Sequence, residues 1–132
     1  MKKLIYLSLL ILVLSACKKD GDISMAGTYT GTFRSYYQAQ FYITDSKIKF
    51  TGNSYKVQKG TFGEGTFSRN ENNIVAFKNE MAYTQQPTYI LNGNYTYEVK
   101  GDSIILTEIK DYPEVALYLQ SYKQYRLKRT SI

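Results

Sequence analysis

Apolar and polar residues alternate with a period of two along most of this chain, and that rhythm commits it to β structure. In residues 36 to 44, YYQAQFYIT, Tyr37, Ala39, Phe41 and Ile43 fall on one face, with Gln38 and Gln40 on the other. In residues 28 to 34, TYTGTFR, Tyr29, Gly31 and Phe33 alternate with threonines and a final arginine. The same beat runs through Ile48 and Phe50, through Tyr55 and Val57, and through Tyr95, Tyr97 and Val99. Each such stretch has one wet face and one face to bury. The 14 tyrosines and 6 phenylalanines, set against 2 prolines, point the same way, because aromatic side chains suit a pleated, half-buried surface.

Turn-forming clusters punctuate these runs. Thr51-Gly52-Asn53-Ser54, Arg69-Asn70-Glu71-Asn72-Asn73 and Lys100-Gly101-Asp102-Ser103 each sit between apolar stretches, as hairpin connections require. The pattern predicts nine strands, at 27–34, 36–44, 46–51, 54–59, 61–69, 73–78, 89–100, 103–110 and 122–129. So many short strands with tight connections predict an all-β, antiparallel up-and-down barrel of eight to nine strands, since closure removes exposed edges. One stretch departs from the period. In 112 to 122, YPEVALYLQSY, Val115, Tyr118, Leu119 and Tyr122 recur at helical spacing, with Pro113 suited to a first turn, so a short helix is expected before the last strand. Residues 79–88 read as a loop on the rim of the barrel mouth.

The amino terminus has a different logic. Lys2 and Lys3 precede an apolar run from Leu4 to Leu14, far short of the roughly 20 residues that span a bilayer. A charged start, a short greasy centre and small residues at its end are the parts of a secretory signal. Leu14-Ser15-Ala16-Cys17 resembles the bacterial lipobox. That resemblance implies cleavage before Cys17, a signal peptide of residues 1–16, and acyl chains such as palmitate on Cys17. Residues 17–25 are then an acylated cysteine and flexible tether, and 26–132 the barrel domain. Two or more acyl chains hold a protein stably on a membrane. Lys18, directly after the cysteine, implies the outer membrane of the cell envelope, on either face. Cys17 is the only cysteine, which rules out an internal disulfide. Lys2 and Lys3 leave with the signal, yet the mature chain keeps a mild basic excess that favours anionic partners or lipids. No nucleic acid partner is expected of an exported chain.

Gly27-Thr28-Tyr29 at the first strand, and a late helix followed by the closing strand YKQYRLKR, resemble the lipocalin-like group of small bacterial lipoproteins. The resemblance implies a lipocalin-like barrel that binds a small ligand. It also implies that Gly27 opens the first strand, and that Arg126 or Arg129 packs over the first-strand aromatic, Tyr29, as a cation–π contact.

The parts list excludes most enzymes. There is no histidine, so Ser-His-Asp and Cys-His arrangements and the commonest zinc ligands are missing. No cofactor and no metal are expected, and the chain reads as a non-enzyme. Gly60, Gly63 and Gly65 lead into a strand rather than the helix that a phosphate loop needs. Glu64, which shares parity with Phe62, points inward on one reading and outward over a bulge on another. Glu108 lies near a strand end and is expected to be exposed. Binding is the better class. Tyr29, Phe33, Phe41, Phe50, Glu64, Phe77, Tyr97 and Leu127 are the candidate lining of an interior pocket for a small hydrophobic ligand. Alternatively, outward tyrosines such as Tyr36, Tyr42, Tyr83 and Tyr89 engage an envelope protein or glycan. A hollow interior favours the first reading, and a filled interior with exposed aromatic side chains favours the second.

Overall fold

Each strand pairs antiparallel with the next, and the last pairs with the first. The computed structural model describes residues 25–37, 40–82, 89–110 and 122–132. Its strands are β1 (Gly27–Tyr37), β2 (Gln40–Thr51), β3 (Ser54–Lys59), β4 (Glu64–Arg69), β5 (Ile74–Asn79), β6 (Gly93–Lys100), β7 (Ser103–Glu108) and β8 (Tyr122–Ser131). They form a closed eight-stranded barrel in sequence order. The seam joins β1 to β8 from Tyr36↔Tyr122 to Thr28↔Ser131, with one bulge at Thr28/Tyr29. Residues 1–24, 38–39, 83–88 and 111–121 lie outside the described residues. So do the signal peptide, Cys17, most of the tether and nearly all of the expected helix at 112–122.

The strands differ from the sequence expectation chiefly where three runs become two. The runs at 27–34, 36–44 and 46–51 are the hairpin β1–β2, connected at 38–39. No turn interrupts β2 at Asp45-Ser46, because neither residue needs an unusual backbone there. Asp45 bonds Lys59 across the strand pair, and Ser46 is buried. The run at 61–69 begins as a strand only at Glu64, and 89–100 only at Gly93. Between them Phe62 makes a single parallel bridge to Ile90. Gly60 sets that detour: its φ of 93° suits glycine, and a side chain there would overlap the Asp45 carbonyl.

The barrel's two ends are unlike. At the terminal end lie Met25, the carboxyl terminus and the connections 52–53, 70–73 and 101–102. The rim end carries the connection 60–63, residues 80–82 and 89–92, residues 109–110, and the ends of β1, β2 and β8 at Tyr37, Gln40 and Tyr122. Met25 is buried in the core, so the barrel body begins one residue before the expected domain boundary.

Aromatic rings fill the described interior. From the terminal end, Tyr29 meets Phe50 at 5.6 Å, Phe50 meets Phe77 at 6.3 Å, and Phe77 meets Tyr95 at 5.6 Å between centroids. The chain of rings continues from Tyr95 to Tyr125 at 6.1 Å and from Tyr125 to Phe33 at 4.8 Å. Such spacings are those of favourable edge-to-face and tilted pairs, each contributing about 0.5–1.5 kcal/mol beyond area burial. Ile48, Val75, Leu91, Ile104, Leu106 and Leu127 close the gaps around them.

Candidate functional site at the rim end

The candidate lining residues do not gather round one hollow. Tyr29, Phe33, Phe50, Phe77 and Leu127 are buried and pack against the central rings. Tyr97 is half-buried near the terminal end, with the Arg69 guanidinium 5.7 Å from its ring centre. Phe41 and Glu64 are not inside at all. Phe41 is 64 % exposed, because β2 is continuous and its odd-numbered residues share a face with Lys47 and Lys49. The interior parity belongs to Tyr42, Thr44, Ser46, Ile48 and Phe50. Glu64 likewise faces out, opposite in parity to buried Gly65 and Phe67, and pairs with Lys56 Nζ at 2.9 Å.

The first-strand contact is made by Arg129. Its guanidinium lies 5.4 Å from the Tyr29 ring centre, and Nε and Nη2 donate to the Tyr29 hydroxyl at 3.0 and 2.8 Å. Arg126 faces outward and donates from Nε to Gln124 at 2.8 Å. Gly27 opens β1 at a φ of 124°.

Toward the rim the inner wall turns polar. Glu108, expected to be exposed, is 14 % exposed at its side chain and lies 3.7 Å from Lys123 Nζ, itself 12 % exposed; Lys110 Nζ is 3.4 Å from its other oxygen. Burial pushes the Lys123 ammonium below its ordinary value, against the pull of the Glu108 charge. Next to Glu108 across the β6–β7 pair, the buried Tyr95 hydroxyl has no hydrogen-bond partner among the described residues, and neither has the buried Ser46 Oγ of β2. The Tyr125 hydroxyl shares a 3.0 Å bond with Thr61, and Tyr55 donates to the Leu91 carbonyl. Burial pushes all three tyrosines, Tyr55, Tyr95 and Tyr125, above the usual phenol range. The signal for this cluster was present in the sequence: Glu108 keeps step with Ile104 and Leu106, and Lys123 with Tyr125 and Leu127.

Exposed apolar side chains gather toward the rim, Phe41 and Ile43 on the outer face of β2 and Tyr42 on its inner face. Among the described residues the exposed large apolar side chains are Phe41, Tyr42, Ile43, Phe62, Met81 and Ile132. All except Ile132 belong to the rim half of the barrel or its connections. Tyr36 packs against Phe41 at 5.8 Å across the β1–β2 hairpin, and Tyr42 against Tyr89 at 5.2 Å, which in turn meets Phe33 at 6.3 Å. Tyr83 lies outside the described residues.

Two open clefts are formed by described residues. One of about 410 Å³ lies at the terminal end against Asp102, Arg129 and Thr130, and one of about 290 Å³ lies beside the Lys56–Glu64 pair. Neither touches the rim aromatics. Among the described residues no three histidine, cysteine, aspartate or glutamate side chains come together as a metal site. Comparison with protein-family models, with curated proteins and with solved structures finds no match.

Proposed function

We propose that this chain is a lipid-anchored barrel of the bacterial cell envelope, held through acylated Cys17, that binds a partner protein with its apolar rim and catalyses nothing. One observation carries the reading. The exposed apolar side chains collect at the end opposite Met25, the point where the tether enters. A body moored at its terminal end therefore holds Phe41, Ile43 and Phe62 away from the lipid, toward other envelope components. Exposed apolar surface concentrated in one region is the usual mark of an interaction site, and aromatic side chains dominate such interfaces. The packing of rings through the described interior supports a surface role over a carrier role.

The test has two arms. Labelled palmitate is expected on the chain and absent from Cys17→Ser. Substituting Phe41, Ile43 and Phe62 by serine is expected to remove co-purifying envelope proteins while the melting temperature holds or rises. Unchanged co-purification would overturn the rim reading.

A second reading rests on the polar inner wall. The unpartnered Tyr95 hydroxyl, paired across the strands with Glu108, suits the polar group of a small lipocalin-type ligand. Mass spectrometry of small molecules carried through a gentle purification tests it; a stoichiometric amphiphile lost in Tyr95→Phe would establish it.

A further inference from the structure

We infer that the outer edge of β2, from Gln40 to Thr44, accepts an added β-strand from a partner protein: an extended, uncharged segment with apolar side chains at alternate positions. This deepens the rim reading above and rests on it. The barrel is closed, but not along the whole of β2. Pairing with β3 starts at Lys47↔Lys59, whereas pairing with β1 runs on to Tyr37↔Gln40. Among the described residues, 40–44 thus have a strand on one side only.

The direction of the free groups follows from Gly60. The Asp45 carbonyl points at Gly60, on the β3 side. Main-chain groups along a strand alternate between its two edges, so the N–H and C=O of Ile43 and Phe41 also point to that side. No main-chain group among the described residues bonds them. These two residues are also the most exposed apolar side chains within any described strand, Phe41 at 64 % and Ile43 at 56 %.

Exposed edges are normally blunted by lysine, proline or a bulge, because they template pairing with other chains. The stretch QFYIT has none of these: it carries no charge and no proline, and the β2–β3 register shift comes later, where β3 carries Gln58 as an extra residue opposite Lys47/Ile48. Strand addition gives affinity through main-chain hydrogen bonds and specificity through alternate side chains. Here Phe41 and Ile43 supply the outward contacts, and the lack of charge selects an uncharged segment.

A second copy of this chain is the rival occupant. Antiparallel self-pairing about Tyr42 sets Phe41 against Ile43 of the copy. Its two-fold axis, however, stands normal to the barrel wall and turns one barrel end for end. Met25 lies at the terminal end, so such a pair holds its two Met25 residues, and the tethers proposed to precede them, at opposite ends. One membrane surface does not accommodate both, whereas a partner strand meets no such conflict.

The test uses the full chain in detergent micelles and a blocked heptapeptide of alternating valine and threonine as probe. Saturating probe is expected to slow amide exchange at Phe41 and Ile43 by about tenfold or more. The same peptide with a central proline has no effect. Ile43→Pro removes an edge N–H without touching the β1 ladder, and Phe41→Lys adds an edge charge; both abolish the protection at unchanged melting temperature. No protection in the native chain overturns the inference. A concentration-dependent dimer that Ile43→Pro dissociates overturns it in favour of the second copy. Partner capture by a photo-crosslinker at Ile43, with both edge amides still unprotected, would leave the rim reading intact and remove strand addition alone.

Discussion

The buried tyrosines separate by what their hydroxyls touch. Tyr125 shares a bond with Thr61, while Tyr95 has no partner among the described residues. Tyr125→Phe should therefore cost about 1 kcal/mol, and Tyr95→Phe should be neutral or stabilising, since a buried unsatisfied hydroxyl carries a desolvation penalty. Chemical denaturation of both variants checks the contrast. Their ionisation has a sign as well. Folded Tyr55, Tyr95 and Tyr125 keep protons that an unfolded chain surrenders near pH 10. Their stabilisation is complete below that pH and is lost above it, by up to about 1.4 kcal/mol per pH unit for each ring. Lys123 acts oppositely, because burial lowers its value in the fold; its contribution improves as pH rises toward the ordinary lysine range. Urea midpoints across alkaline pH should thus fall more gently in Tyr95→Phe, and any rise before the fall should vanish in Lys123→Met. Glu108→Gln leaves Lys123 without its anion and should cost about 3 kcal/mol, the scale for breaking a largely buried pair, with Lys123→Met restoring part of it. At this scale the sequence placed Tyr29 inside, but it set Tyr42 and Tyr89 outside, where the fold gives Tyr42 interior parity and packs Tyr89 on the core. Parity also placed Glu108 in step with Ile104 and Leu106 but cannot say how far a strand end is covered.

Among the elements, β2 taught the most. Its alternation was legible, and the identity of its faces was not. Reading a break at Asp45-Ser46 reversed the parity of Phe41 and Ile43, and a one-residue slip in a strand sends every side chain to the opposite face. The even-numbered sequence Tyr42, Thr44, Ser46, Ile48, Phe50 becomes visible only when the strand is known to be continuous. The hairpin of β6 and β7, joined at Gly101-Asp102, was plain in advance because its turn chemistry is local. The seam has no local signature. Gly31 illustrates this: a side chain there would overlap the Arg126 carbonyl of β8, a constraint set by a strand nearly a hundred residues on. Gly31→Ala should push β1 off β8 and destabilise by at least about 2 kcal/mol; differential scanning calorimetry measures it.

For the whole molecule, neighbour-to-neighbour pairing makes every hydrogen-bonded strand pair consecutive in sequence except one. The seam brings Tyr29 and Arg129 together across a separation of 100 residues, so its loop-closure entropy dominates the search. Arg129→Ala should accelerate unfolding by roughly 5–30-fold, the equivalent of one or two kcal/mol. Refolding should stay within about twofold if the seam closes after the transition state; stopped-flow traces followed by tyrosine fluorescence separate the two rates. The overall architecture was legible because alternation and turns recur along the chain. That these rings would pack against one another in the described interior was not, since the same large inward residues line either a pocket or a plug. The position of that seam also governs the newborn chain. While a ribosome still conceals β8, the polypeptide lacks the strand that completes the cylinder, and β1 keeps one edge without its partner.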